Sequence, residues 1–199
     1  VQPTDILTPF HGYEVTQPVP ATYIFRGKLN LEAPNDLEVA AKVPGVLYGA
    51  FNSFANSYTA SYSIPSIVFG TGLEQTVFLY NTGSRIEWLA HNQDESSTLV
   101  GTYLSVPKNL AGNNGLPHEI PSLQGFMICN KGTAKASLTM PYSGIVQEKA
   151  SGVLRAGDEE DVREFLHIDV ASNEGADRLF VFRKEGTTAG FDNGWDGSK

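Results

Sequence analysis

Gly125-Phe126-Met127-Ile128-Cys129 is the stretch on which the fold turns. It is an apolar run without charge, the pattern of a strand covered on both faces. Ahead of it lies Pro107-Lys108-Asn109-Leu110-Ala111-Gly112-Asn113-Asn114-Gly115-Leu116-Pro117-His118-Glu119-Ile120-Pro121-Ser122-Leu123-Gln124, a long segment that Gly, Asn and Pro mark as a loop. Behind it a short polar turn leads to Ala136-Ser137-Leu138-Thr139-Met140-Pro141-Tyr142. The strand is the expected core. The loop, from Asn109 to Gln124, is the expected binding surface, since binding residues sit disproportionately on loops held by a rigid scaffold.

Strand signals extend outward in both directions. Gly12-Tyr13-Glu14-Val15 and Ala21-Thr22-Tyr23-Ile24-Phe25-Arg26-Gly27 alternate around Pro18 and Pro20, which predicts a hairpin with an elaborated connection. Leu37 to Ala41 is a further strand, ended by Pro44-Gly45. Between Val46 and Ile64 the aromatics Tyr48, Phe51, Phe54, Tyr58 and Tyr62 fall at helical spacing, but Gly49, Asn52, Ser53, Asn56 and Ser57 between them are poor helix formers. A strand through about Phe51, followed by an aromatic-packed loop, is the better reading.

Thr76-Val77-Phe78-Leu79-Tyr80 is a buried strand. Arg85-Ile86-Glu87-Trp88-Leu89 is expected to pair with it, and Gly101 to Val106 forms another. Phe165 to Val170 pairs with Arg178 to Arg183, while the acidic run Asp158 to Asp161 reads as a solvated end. A short echo between the hairpins at Gly12 and Gly125 suits two related halves. Recurrent strands without an amphipathic helix predict an all-β fold, an antiparallel β-sandwich of jelly-roll-like kind, in a single module over residues 1–199.

The totals narrow the setting. The 199 residues, 41% hydrophobic and 18% charged, are enough to close a core without disulfides or metal. A net charge of -8 with scattered Lys and Arg argues against nucleic acid and against anionic lipid. The single cysteine, Cys129, alternates with Phe126 and Ile128 and reads as a buried inert thiol. No apolar run is long enough to span a membrane. The start at Val1 rather than methionine points to a mature form or an excised piece.

Tests for chemistry return little. The histidines His11, His91, His118 and His167 lack metal-ligand spacing, and no nucleophile elbow, phosphate loop or dinucleotide fingerprint occurs. Neither a metal site nor a cofactor is indicated. A glycosidase pair such as Glu87 and Glu119 has no supporting motif. Asp177, Asp192, Asn193 and Asp196 offer oxygen ligands but lack the ordered series of a calcium loop, so turn chemistry is the simpler reading. Trp88, Tyr103 and Trp195 could stack on sugar rings if exposed, and His118 lies on the long loop; these four are the candidate ligand-binding residues.

Taken together, Gly12-Tyr13, Asn56-Ser57-Tyr58-Thr59-Ala60, Val77 to Ser84 with Trp88, Pro107-Lys108-Asn109, Ile120 to Phe126 and the closing Phe191-Asp192-Asn193-Gly194-Trp195-Asp196-Gly197-Ser198-Lys199 resemble a known region. It is the β-sandwich accessory region of large secreted or surface-anchored proteins of Bacteroidetes, often placed before the sorting domain of the type IX secretion route. The resemblance covers most of the chain. It implies an extracellular or cell-surface module, a fragment of a longer protein, with no catalytic residues to carry over.

The expectation is therefore a non-catalytic module with a structural, adhesive or assembly role, whose partners are cell-surface proteins or glycans. The alternative is a carbohydrate-binding jelly-roll, which requires Trp88 or Trp195 exposed on a concave face. An assembly role instead requires an exposed strand edge open to another chain.

Overall fold

The structure, a computed structural model, describes residues 6–13, 22, 24, 26–31, 34, 36–80, 103–113, 115–146, 164–172 and 175–198. In chain order the strands are β1 (Leu37–Val39), β2 (Phe51–Ala55), β3 (Tyr62–Ser63), β4 (Val68–Phe69), β5 (Thr76–Tyr80), β6 (Tyr103–Pro107), β7 (Glu119–Ile120), β8 (Gly125–Cys129), β9 (Ala136–Thr139), β10 (Glu164–Ser172) and β11 (Gly175–Arg183). Single 3-10 turns lie at Ile64–Ser66, Lys108–Leu110 and Tyr142–Gly144, and there is no α-helix among the described residues. None of these helical turns is long and apolar enough to cross a membrane.

The fold is all-β, as the sequence predicts. The largest sheet runs β2-β8-β5-β6, a second runs β1-β9-β4, and β3-β7 and β10-β11 form two-stranded sheets. Every ladder between these strands is antiparallel. The deciding strand, β8, sits between β2 and β5, with Phe54 opposite Phe126 and Phe78 opposite Met127. Because side chains alternate, Phe54, Phe126, Ile128, Val77, Leu79 and Val106 point to one face and meet Val39, Leu138 and Phe69 of the second sheet. The other face of β8 carries Cys129 and Met127, which pack with Ala50, Phe51 and Phe78. Coverage on both sides explains the uncharged run.

Two expectations are corrected. The strand expected from Val46 to Phe51 is instead a tight turn. Val43 N donates to Gly49 O at 2.9 Å, Gly49 N to Val46 O at 3.1 Å, and β2 begins where that turn ends. The loop from Asn109 to Gln124, expected as surface, is largely folded down. Leu110, Ala111, Leu116 and Ile120 are buried in the core, and Glu119–Ile120 pairs with β3.

Asn56 explains that second correction. It is fully buried, and its Nδ2 donates to Ala60 O at 2.9 Å, Ile120 O at 2.9 Å and Pro121 O at 3.1 Å, while its Oδ1 accepts from Tyr58 N at 3.0 Å. Its backbone N–H and C=O bond Gln124 O and Leu123 N. One residue thus ties residues 56–60 to residues 120–124. Next to it Tyr58 and Tyr62 stack at 5.7 Å and donate their hydroxyls to Met140 O and Pro141 O, at 2.9 and 2.8 Å.

The expected pairing of Phe165–Val170 with Arg178–Arg183 is present and longer than the sequence suggests, running from Glu164 opposite Arg183 to Ser172 opposite Gly175. The expected hairpin over residues 12–27 falls largely outside the described residues, as do Arg85 to Leu89 and the acidic run 158–161 entirely. The pairing expected between β5 and Arg85 to Leu89 is a further correction, because β5 lies between β8 and β6 and has both edges taken by them.

Replacing the buried amide leaves three carbonyls and one N–H without their partner, so Asn56→Ala is expected to cost about 3 kcal/mol in urea unfolding. Burial pushes the Tyr62 hydroxyl well above its ordinary 10.0, with Tyr58 adding to the effect; burial, then Tyr142, pushes Tyr58 up as well. A raised folded pKa gives stability that is complete below the unfolded value and lost as pH rises toward the folded one. Stability should therefore fall above about pH 10, and Tyr62→Phe should flatten that fall in an alkaline unfolding series.

Candidate functional site

With the core closed by Asn56 and the tyrosine pair, the candidate site must be sought among groups left outside. The four residues singled out in the sequence do not converge. Trp88 lies outside the described residues. Tyr103 begins β6, is 48% exposed, and sets its ring 5.0 Å from Tyr80. His118 is exposed, its ring against Gly112, while its backbone carbonyl accepts from Ile64 N at 2.9 Å. Trp195 is half-buried against the core, with Phe182 at 6.2 Å and the Lys184 ammonium 4.2 Å from its ring centroid. An indole covered in this way does not meet the exposed-platform requirement of the sugar-binding alternative.

Trp195 belongs to a clip made by the closing motif. Asp192 accepts from Thr188 N at 2.6 Å, and Asp196 accepts from Asp192 N at 2.7 Å. These are local turn bonds, as the sequence predicts, and they occupy the carboxylates. Among the described residues no group of three His, Cys, Asp or Glu could hold a metal ion.

The clip then grips the main sheet. Asn193 accepts from Gln75 N at 2.7 Å and donates to Leu73 O at 3.0 Å, and Gly194 O accepts from Asn109 N at 2.9 Å. Thr76 and Ser105 hydroxyls donate to Asp196 O and Ser198 O. Glu74, also buried, accepts from Ser198 N at 2.7 Å through Oε1. Its Oε2 receives no directed hydrogen bond but lies 3.0 Å from the Lys131 ammonium. Cys129 sits beside this pair, and burial first, then Glu74, pushes its thiol up, which suits an inert core thiol. The clip holds the Thr76 end of β5, and Tyr103 faces Tyr80, four residues or about 13 Å further along. Glu119 pairs with Ser63 in the β3-β7 ladder, and Glu87 lies outside the described residues.

Among the described residues one exposed feature is strongly apolar. In the β10-β11 ribbon, Phe180 and Phe182 face inward and pack against the core. The opposite face presents Leu166 across from Val181 and Ile168 across from Leu179, with Val170 beyond, all of them exposed. Among the described residues β10 and β11 pair only with each other, so each strand has an outer edge without a described partner. An apolar face and open edges on one ribbon are what sheet addition by another chain uses. No single residue type signals this. The alternation in Leu166, Ile168 and Val170 was visible, but not which face the core would take.

No family model matches the chain, and no solved structure matches it. Among curated proteins, the minor fimbrium subunit Mfa5 of Porphyromonas gingivalis, a member of the Bacteroidetes, is 37% identical over 212 aligned residues. That alignment takes in 99% of this chain and 17% of the relative, so the chain spans less than a fifth of that protein's length.

Gly194 has φ +91°, and a Cβ there would stand 2.9 Å from Asn109 Nδ2. Gly194→Ala is therefore expected to loosen the clip and lower stability by about 2 kcal/mol. The check is hydrogen exchange, which should rise across residues 188–198 while β8 stays protected.

Proposed function

We propose that this chain is a non-catalytic structural module of a cell-surface fimbrial protein, in which it serves assembly or adhesion. The observation that carries the reading is the 37% identity to a minor fimbrium subunit through 99% of the chain. The geometry supports it in two ways. The clip and the buried amide brace the described chain through hydrogen bonds, and the β10-β11 ribbon offers an apolar face and edges without a described partner to a neighbouring chain. Partners on this reading are other surface proteins. An extracellular location and export by the type IX route belong to the same proposal. Tyr103 and His118, both exposed, are the two sequence-predicted residues it puts forward for ligand contact.

The test uses fimbriae purified from the cells that make the protein. The unaltered chain should sediment with them, and the double substitution Leu166→Lys with Leu179→Lys should weaken that binding about tenfold or more. Because both side chains are exposed, thermal stability should be unchanged. An unaltered chain that stays in the supernatant defeats the proposal.

A further inference from the structure

The turn between β1 and β2 breaks the usual rules of a surface loop. Val43, Val46, Leu47 and Tyr48 are all exposed, Leu47 at 81% and Tyr48 at 73%. Tyr48 also holds φ +58°, in the left-handed region that side chains rarely adopt. Strain of this kind persists only where the surroundings impose it, and here it turns an aromatic ring outward.

The turn is nonetheless fixed. Gly45 takes φ +75°, a Cβ on Gly49 would meet Val43 O at 2.7 Å, and Phe51 N donates to Tyr48 O at 3.0 Å. Lys42 N donates to Gly132 O at 3.0 Å, which binds the turn to its neighbour. The Tyr48 ring meets Phe51 edge-on at 6.2 Å, and Phe51 meets the buried Phe78 at 5.0 Å. The apolar tip is thus pre-organised from the core outward, which lowers the ordering cost of docking.

Charge indicates what it docks into. The turn 42–49 and the abutting turn 131–135 hold Lys42, Lys131 and Lys135 and no acidic residue, in a chain whose net charge is -8. Lys131 and Lys135 each approach one glutamate, Glu74 and Glu38, and no carboxylate among the described residues pairs with Lys42. We infer that the Val43–Tyr48 tip is a docking knob for a protein partner, one that offers an apolar pocket bordered by carboxylates. The lysines would favour any anionic surface, and it is the assembly reading that makes the occupant a protein rather than a lipid bilayer.

This inference rests on the assembly reading for its partner class, and it concerns a surface other than the ribbon. Purified fimbriae serve as the probe, with phosphatidylcholine and phosphatidylglycerol vesicles in parallel. Leu47→Asp and Tyr48→Gly should each weaken binding to fimbriae about tenfold. Glycine suits the left-handed backbone, so Tyr48→Gly keeps the fold, which its melting curve verifies. Lys42→Glu should weaken binding at low salt and lose its effect at high salt. If the unaltered chain binds and both tip variants bind equally well, the knob is refuted while the assembly reading stands; if the unaltered chain does not bind, both fall. Tip-dependent binding to vesicles, or self-association abolished by Leu47→Asp, also overturns it, and indifference to Lys42→Glu removes the carboxylate border.

Discussion

The structure depends on one buried amide satisfying more backbone than its own. Asn56 has no access to water, and its side chain meets three carbonyls and one N–H drawn from two distant segments. Buried backbone groups without partners are costly, so a loop can enter a core only if something answers its polar atoms. Asn56 answers those of Ile120 and Pro121. That permits Ile120 and Leu116 to bury apolar surface beside β8, which in turn closes the main core under the tyrosine pair.

The remaining polar ties follow the same logic at the other end of the main sheet. The clip satisfies the N–H groups of Gln75 and Asn109 and the carbonyl of Leu73, where β5 and β6 meet the irregular chain. Each of these contacts is made by a short Asn or Asp side chain or by backbone held in a turn, which loses little conformational entropy on ordering. The two brackets immobilise the sheet at its ends. These polar groups are thereby taken up in structure, and the open features singled out among the described residues, the ribbon and the turn before β2, are apolar.

Legibility followed the range of the determining interaction. The strands β5, β8 and the β10-β11 pair could be read because composition and alternation within a few residues set them. The Asp192–Asp196 turn was likewise readable as local chemistry. What Asn56 does could not be read, because an asparagine within an aromatic stripe looks like a turn former, and its partners at Ile120 and Pro121 lie 64 and 65 residues away. The burial of Leu110, Leu116 and Ile120 did leave a trace, apolar residues spaced through a segment whose Gly and Pro suggested surface. The reach of the clip to Gln75, 118 residues distant, left none.

Natural sequences agree with themselves at most levels, and the disagreements concentrate where another demand acts. Through most of the described interior, pattern, burial and hydrogen bonding agree. Two of the places where they part lie on the surface. Tyr48 occupies a backbone conformation that glycine would hold more easily, and its ring gains no burial from it. The ribbon leaves Leu166, Ile168, Val170, Leu179 and Val181 in water on the face away from Phe180 and Phe182, although polar residues there would be more soluble. Neither feature stabilises the isolated chain, and both sit on elements anchored to the core through aromatic side chains. A surface kept apolar and held against its own solvation is accounted for if a second surface completes it, and that is the demand the proposed assembly role would place on these two elements.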